Sequence, residues 1–182
     1  MGTRVPSPVL WRGVAAAAAC ALLGLLSYGR GGRVPLLGWI DLAIHEAGHV
    51  ATYVLPDLAT AMAGSVAQVA LPLAIAVRFA VRREALSALL CLAWAGTSAR
   101  DVSVYVADAP YERLELIGGM HDWAFALGPE GLDAIDRAGA VAAAVSGAGL
   151  LMVLAAVAGC LATPFLQARG LRGDPPAVVA SE

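Results

Sequence analysis

Long apolar stretches separated by short polar segments constrain this chain more than any other feature of its sequence. There are five, at residues 9–28, 36–55, 58–81, 85–107 and 138–166. A helix needs roughly 20 mostly apolar residues to cross a bilayer, and each of these stretches is long enough. The pattern therefore predicts an all-α protein, a polytopic bundle of about five transmembrane helices.

The composition favours a membrane protein over an ordinary soluble domain. Hydrophobic residues make up 59% of the chain and charged residues 14%, whereas typical soluble domains have roughly 45–50% and about 25%. The net charge of -2 gives no reason to expect nucleic acid as a partner. The three cysteines lie in apolar stretches, which favours buried thiols over a disulfide framework. The partner expected from composition is the lipid bilayer.

The apolar stretches predict one transmembrane domain over residues 1–168, with a polar loop at 108–137 and a flexible tail at 169–182. The first stretch follows basic residues, as a signal peptide does, but it lacks a clean cleavage site and is predicted to be retained. Arg residues are enriched after the first and third spans and in the tail. By the positive-inside rule these segments are predicted to be cytoplasmic, which places the N-terminus outside and the C-terminus in the cytoplasm.

The second span carries an HExxH motif, His45-Glu46-Ala47-Gly48-His49. Charged side chains cost about 2.5–3.5 kcal/mol each inside a bilayer, so such residues are functional candidates. Helical residues four apart share one face, and both imidazoles can therefore reach one ion. Glu46 lies about 100° around the helix, where it can take a proton from a water on that ion. The motif predicts Zn²⁺ held by His45 and His49, with Glu46 as catalytic base; the alternative is a polar cluster that holds helices together.

A catalytic zinc ion usually has three protein ligands, and the motif supplies two. We predict His121 as the third, because it is the only other histidine and lies in a Gly118–Trp123 segment that can dip toward the site. Asp101 and Asp122 are alternatives, either as ligands or as residues that orient a ligand.

Further polar residues in the spans are candidates for supporting roles. The fourth span has four of them at helical spacing, which predicts a polar stripe facing the protein interior: Thr97, Asp101, Tyr105 and Asp108. Asp41, one turn before His45, can accept a hydrogen bond from the ring nitrogen that does not bind metal. Gln68 in the third span can bind a substrate backbone or an oxyanion, or it can link helices through hydrogen bonds.

An HExxH motif inside an apolar span resembles the site-2 protease-like class of intramembrane zinc metallopeptidases. The resemblance rests on His45, Glu46 and His49, and it covers the rest of the chain in outline. It implies a third ligand from an Asp on a later membrane helix, a position that Asp101 matches. The HEAGH motif, the polar residues of the fourth span and the sequence Gly-Gly-Met-His-Asp-Trp are also similar to small uncharacterised bacterial membrane proteins. That likeness implies a location in the bacterial inner membrane.

The leading hypothesis is an intramembrane zinc peptidase that hydrolyses a peptide bond in a membrane protein or peptide, with Glu46 as general base. One alternative is a zinc hydrolase of a lipid amide or ester, since the same centre serves that chemistry. The other is a non-catalytic metal-binding membrane protein, such as a transporter or sensor, with the polar stripe as its path. The sequence predicts neither the individual substrate nor the oligomeric state.

Overall fold

The computed structural model describes residues 7–116 and 120–170. Its helices are α1 (Ser7–Gly29), α2 (Leu37–Thr52), α3 (Asp57–Val81), α4 (Ala85–Asp108), α5 (Asp122–Leu127) and α6 (Ala138–Gly170), with a 3₁₀ turn at Ile135–Arg137. The described ranges contain no strand, so the all-α prediction is confirmed. Gly118 and Gly119 of the predicted dipping segment lie outside the described residues, as does the predicted tail from residue 171 onward.

Within the described ranges, three helices are long and apolar enough to cross a membrane: Pro8–Gly29, Asp57–Val81 and Ile135–Ala168. They support the prediction of a membrane protein, but they do not confirm the count of five spans. Helix α2 has 16 residues and is about 24 Å long at 1.5 Å per residue, shorter than a bilayer core of about 30 Å. Helix α4 has 24 residues, but its polar stripe lowers its hydropathy.

Helix α4 lies at the centre of the bundle and packs against α1, α3 and α6. Its approach to α6 depends on two glycines, since a β-carbon on Gly96 would lie 2.6 Å from the carbonyl oxygen of Gly149. Small residues allow helix backbones to approach closely in this way. Because α4 is surrounded by protein, it can carry polar side chains that a lipid-facing helix could not.

The helices of the bundle end at two opposite sides, called here the upper end and the lower end. The upper end consists of the turn at 53–56, α5 and the start of α6; the lower end consists of the start of α1, the turn at 82–84 and the end of α6. At the lower end a β-carbon on Gly13 would lie 2.5 Å from Cγ of Pro164, so α1 begins beside the last turns of α6. The start of α1 and the end of α6 therefore lie at the same end of the bundle. Five crossings would have placed them at opposite ends, so the predicted opposite sidedness of the termini is not supported.

The connection between α1 and α2, residues 30–36, lies within the depth of the bundle. Gly32 has a φ of +104°, and a β-carbon there would lie 2.8 Å from Cγ2 of Val104 and 3.2 Å from Cα of Asp101. Asp101 is seven residues before the end of α4, which is about 10 Å below the upper end. Non-helical backbone at membrane depth requires surrounding protein or a water-filled cavity. This connection packs against α4 at Gly32 and lines a cavity at Gly31.

Candidate metal centre

Three side chains from α2 and α5 converge on one point. His45 and His49 lie one turn apart on α2, and their ring centroids are 4.8 Å apart. Asp122, the first residue of α5, places Oδ2 3.1 Å from Nε2 of His45 and 3.2 Å from Nε2 of His49. The potential ligand atoms of the three residues all lie within 4.8 Å of one another, so the group can hold a metal ion.

The Nδ1 atom of each imidazole, which points away from Asp122, has its own hydrogen-bond acceptor on α3. Nδ1 of His45 lies 3.3 Å from Oε1 of Gln68, and Nδ1 of His49 lies 2.8 Å from the carbonyl oxygen of Thr60. Both acceptors require the hydrogen to be on Nδ1, which leaves the lone pair of each Nε2 directed at the shared point. Metal-binding histidines are commonly oriented by such second hydrogen bonds.

Gln68 connects His45 to Asp101 on α4. Its Nε2 donates a 2.9 Å hydrogen bond to Oδ2 of Asp101, while its Oε1 faces His45. Both halves of the amide are therefore engaged in linking helices, one of the two roles expected for Gln68. Asp101, an alternative third ligand, lies behind Gln68 and outside the group of His45, His49 and Asp122.

Tyr105 holds Asp122 in place from α4. Its hydroxyl accepts a 3.0 Å hydrogen bond from the backbone N–H of Asp122 and donates a 3.2 Å hydrogen bond to Oδ2 of the same residue. The next residue, Trp123, is buried and donates from Nε1 to Oγ of Ser65 on α3 at 3.0 Å. These contacts fix the start of α5 against both α3 and α4.

The electrostatic environment favours the ionised form of Asp122, the form that binds cations. Burial alone would raise the pKa of its carboxyl group. The neighbouring imidazoles of His45 and His49, together with the hydrogen bond that Tyr105 donates, outweigh this effect, so the pKa of Asp122 is lowered below its ordinary value.

His121, the third ligand that the sequence predicted, does not join the group. Its ring stacks on Tyr105 with centroids 4.3 Å apart, and Nδ1 accepts a 3.2 Å hydrogen bond from the backbone N–H of Ala124. Nε2 is buried and lies 3.4 Å from Oδ2 of Asp108, without a hydrogen-bond partner among the described residues. His121 is the N-cap of α5, so its side chain turns back over the helix end while Asp122 points toward the histidines of α2.

Asp41 also differs from its expected role. Its carboxylate is 3% exposed and accepts hydrogen bonds from Nε1 of Trp94 at 2.8 Å and from Oγ of Ser98 at 3.1 Å, both on α4. The partner of His45 is Gln68 instead. Asp41 thus ties the lower part of α2 to α4, and it orients no ligand directly.

Glycines make room for the site and for the helices around it. A β-carbon on Gly64 of α3 would lie 2.5 Å from Nε2 of His49 and 2.6 Å from Nε2 of His45. Any larger residue would fill the space in front of both ligand nitrogens. On α2, a β-carbon on Gly48 would lie 2.6 Å from the carbonyl oxygen of Ala63, so this glycine admits a neighbouring helix.

A cavity of about 830 Å³ leads to the group, and Glu46 lines it. Helix α2 packs against α3 and faces α4 across this cleft. The hydrogen bonds that Asp41 accepts from Trp94 and Ser98 close the cleft below the metal group. Exposed residues of the loop after α4, among them Leu114 and Glu115, line it near the upper end.

Three supporting features were not predicted from the sequence. The first is the contact of Tyr105 with Asp122. The polar stripe of α4 predicted that Tyr105 faces inward, but it did not predict which loop residue Tyr105 contacts. The second is the hydrogen bond between His49 and the backbone carbonyl of Thr60, which no sequence pattern predicts because every residue has such a carbonyl. Gly64 was one of 20 glycines and has no distinguishing neighbour.

The three residues form a donor set that could hold a metal ion. Two imidazole nitrogens and one carboxylate form a donor set that Zn²⁺ accepts. The two separations from Oδ2 of Asp122, 3.1 and 3.2 Å, are close to the roughly 3.3 Å edge of a tetrahedron with ligand distances of about 2.0–2.1 Å. No protein-family model, curated protein or solved structure matches the chain.

Proposed function

We propose that this protein is a zinc-dependent membrane peptidase. The observation that carries the proposal is the convergence of His45, His49 and Asp122 at a cavity that Glu46 also lines. Three ligands with an accessible side are typical of catalytic zinc, whereas structural zinc sites are usually closed by four protein ligands. Together with the HExxH motif, this arrangement supports a likeness to site-2 protease-like metallopeptidases, with Asp122 of α5 as third ligand.

His45, His49 and Asp122 would hold the zinc ion. When bound, zinc would make a water molecule acidic enough to react near neutral pH and would polarise a carbonyl group. Glu46 takes the proton released from water as the water oxygen adds to the carbonyl carbon. The same carboxyl group then passes the proton to the departing nitrogen as the C–N bond breaks. Water and peptide give one carboxylic acid and one amine.

The cleft between α2 and α4 suits a polypeptide in an extended conformation. Its walls combine apolar side chains such as Trp39, Leu42 and Val102 with polar groups near the metal. A transmembrane helix hides its peptide groups in internal hydrogen bonds, so a helical substrate must unwind before cleavage. We therefore expect substrates whose membrane segments contain residues that weaken a helix.

The test uses the full chain in proteoliposomes together with single-span peptides that each carry one Asn-Gly pair, placed at a different depth in each peptide. Zinc content is measured by mass spectrometry of the metal, and cleavage by mass spectrometry of the peptides. The matched variant is Glu46→Gln, which has nearly the same shape and lacks the base. We expect about one zinc per chain in both proteins, with cleavage by the wild type alone.

The other outcomes decide between functions. Cleavage of an acyl amide or ester lipid included in the same vesicles, with intact peptides, would replace the peptidase by a lipid hydrolase. Zinc binding without any hydrolysis, unchanged in Glu46→Gln, would indicate a non-catalytic metal protein. Failure of the wild type to take up zinc would overturn the proposal at its basis.

A further inference from the structure

Helix α2 begins far below the upper end and does not start at the lower end. Asp41, in its second turn, bonds to Trp94 and Ser98, which lie 14 and 10 residues before the end of α4. At 1.5 Å per residue these positions are about 21 and 15 Å below the upper end. The chain enters α2 from residues 30–36, which are themselves inside the bundle beside Asp101.

Both α1 and α2 therefore rise toward the upper end. The hydroxyl of Tyr28, near the end of α1, donates a 2.6 Å hydrogen bond to the carbonyl oxygen of Ser146, about 12 Å below the start of α6. The chain then turns down through residues 30–36 and rises again as α2. Residues 30–52 therefore turn back inside the bundle instead of crossing it. The helices that connect the two ends are α1, α3, α4 and α6. An even number of crossings places the start of α1 and the end of α6 at the same end of the bundle, as the packing of Gly13 against Pro164 does.

Arginine residues are distributed unequally between the two ends. Five arginines of the described ranges lie at the lower end, in its turn or in the helix ends next to it: Arg12, Arg78, Arg82, Arg83 and Arg169. The upper end contains Arg113 and Arg137. The positive-inside rule counts residues close to the ends of membrane helices, so it places the lower end in the cytoplasm.

The metal group is close to the upper end. Gly64, which lies against both histidines, is seven residues into α3, or about 10 Å from that end. Exposed residues of the loop after α4, such as Glu115 and Met120, line the same cavity. The upper end is thus the route by which water and polypeptide reach the site.

We infer that α2 is a re-entrant helix, that the chain crosses the membrane four times, and that the metal cleft opens on the non-cytoplasmic face. The inference rests on the proposed function for its substrate class. That class is a polypeptide segment of a membrane or exported protein lying in the outer half of the bilayer. The prediction of a cytoplasmic C-terminus is retained, whereas the N-terminus moves to the cytoplasmic side.

Topology is tested in living bacterial cells with the full chain. Green fluorescent protein, which does not fluoresce when exported unfolded, is joined before Met1 in one fusion and after Glu182 in another. We expect both fusions to fluoresce. Fluorescence of one fusion alone would mean an odd number of crossings and would overturn the inference.

The face on which the cleft opens is tested with a membrane-impermeant maleimide. Glu130→Cys places a thiol at the upper end and Glu84→Cys places one at the lower turn, both at exposed positions. The wild type is the blank, because two of its cysteines are buried and the third is partly buried within α4. We expect Glu130→Cys to be labelled in intact cells and Glu84→Cys only after the membrane is opened. The reverse pattern would place the site on the cytoplasmic face.

The substrate class is tested with two single-span reporter proteins that differ in the depth of one Asn-Gly pair. We expect cleavage when the pair lies in the outer third of the span and none when it lies in the inner third. Cleavage of the inner-third reporter alone would contradict the inference. Cleavage of neither would count against the proposed peptidase, while labelling and fluorescence decide the topology independently.

Discussion

Gly64 packs against His49 with no space for a side chain between them. A β-carbon added to Gly64 would lie 2.5 Å from Nε2 of His49 and almost as close to Nε2 of His45. The nitrogen atoms that face this glycine are those that face Asp122. Absence of a side chain at position 64 is therefore a requirement of the site, separate from the general use of glycine in helix packing.

Gly64→Ala is expected to lower zinc affinity by about 100-fold, since the methyl group displaces two ligands whose orientation controls binding. Gly147→Ala is the matched control, because a β-carbon there has no neighbour within 4 Å. Competition with a coloured chelator measures both affinities. Normal zinc binding by Gly64→Ala would mean that the metal does not lie between His45, His49 and Asp122.

Asp122→Asn should also abolish tight zinc binding, because it removes the only anionic donor of the group. His121→Asn should leave zinc affinity within a few-fold of the wild type, since asparagine is a good N-cap and can still accept the bond from Ala124. Metal content of the two purified variants gives the answer. The opposite pattern would restore His121 as the third ligand.

The sequence predicted the parts of this site that depend on local spacing. His45 and His49 share a helical face because they are four residues apart, and Asp101 and Tyr105 face inward because they belong to a polar stripe. The all-helical fold followed in the same way from the apolar stretches. These features depend on helix periodicity, which can be read from a single segment.

Long-range relations were beyond the sequence. Which of two adjacent loop residues, His121 or Asp122, reaches α2 depends on the direction in which α5 begins. Asp41 and Gln68 lie within reach of His45 on different helices, and packing selects Gln68. The number of crossings depends on where the chain between α1 and α2 lies, which hydropathy alone does not reveal.

Tyr105→Phe should weaken zinc binding by about 10–100-fold, the usual effect of losing a residue that orients a ligand. The ring would still fill its place against His121, but both hydrogen bonds to Asp122 would be lost. Tyr111→Phe is the control, since Tyr111 is 62% exposed and lies outside the cavity lining. The Co²⁺-loaded proteins provide a second readout, and their visible spectra should differ if Asp122 has moved. Identical affinities and spectra would show that Trp123 and the α5 backbone suffice to hold the carboxylate.

Gly96→Ala tests the helix packing apart from the metal centre. The new β-carbon would lie 2.6 Å from the carbonyl oxygen of Gly149, so α4 and α6 must separate. We expect a loss of about 1–3 kcal/mol in the free energy of unfolding, as for other overpacked sites. Unfolding in mixed detergent measures it against Gly139→Ala, whose β-carbon meets nothing within 4 Å. Equal stability of the two variants would mean that the helices are farther apart than described.

Gln68→Leu separates orientation of His45 from direct binding of the substrate. The change leaves Nδ1 of His45 without an acceptor and Asp101 without its donor, so zinc affinity should fall by about 10–100-fold. With zinc at saturating concentration the variant regains its metal, and a residue that only orients His45 should then give a kcat close to that of the wild type. A residue that stabilises an oxyanion would instead leave kcat reduced by about 100-fold or more even when zinc is bound. Titration of peptide hydrolysis against zinc measures both quantities, and a persistent loss of kcat would return Gln68 to the substrate-binding role that the sequence also allowed.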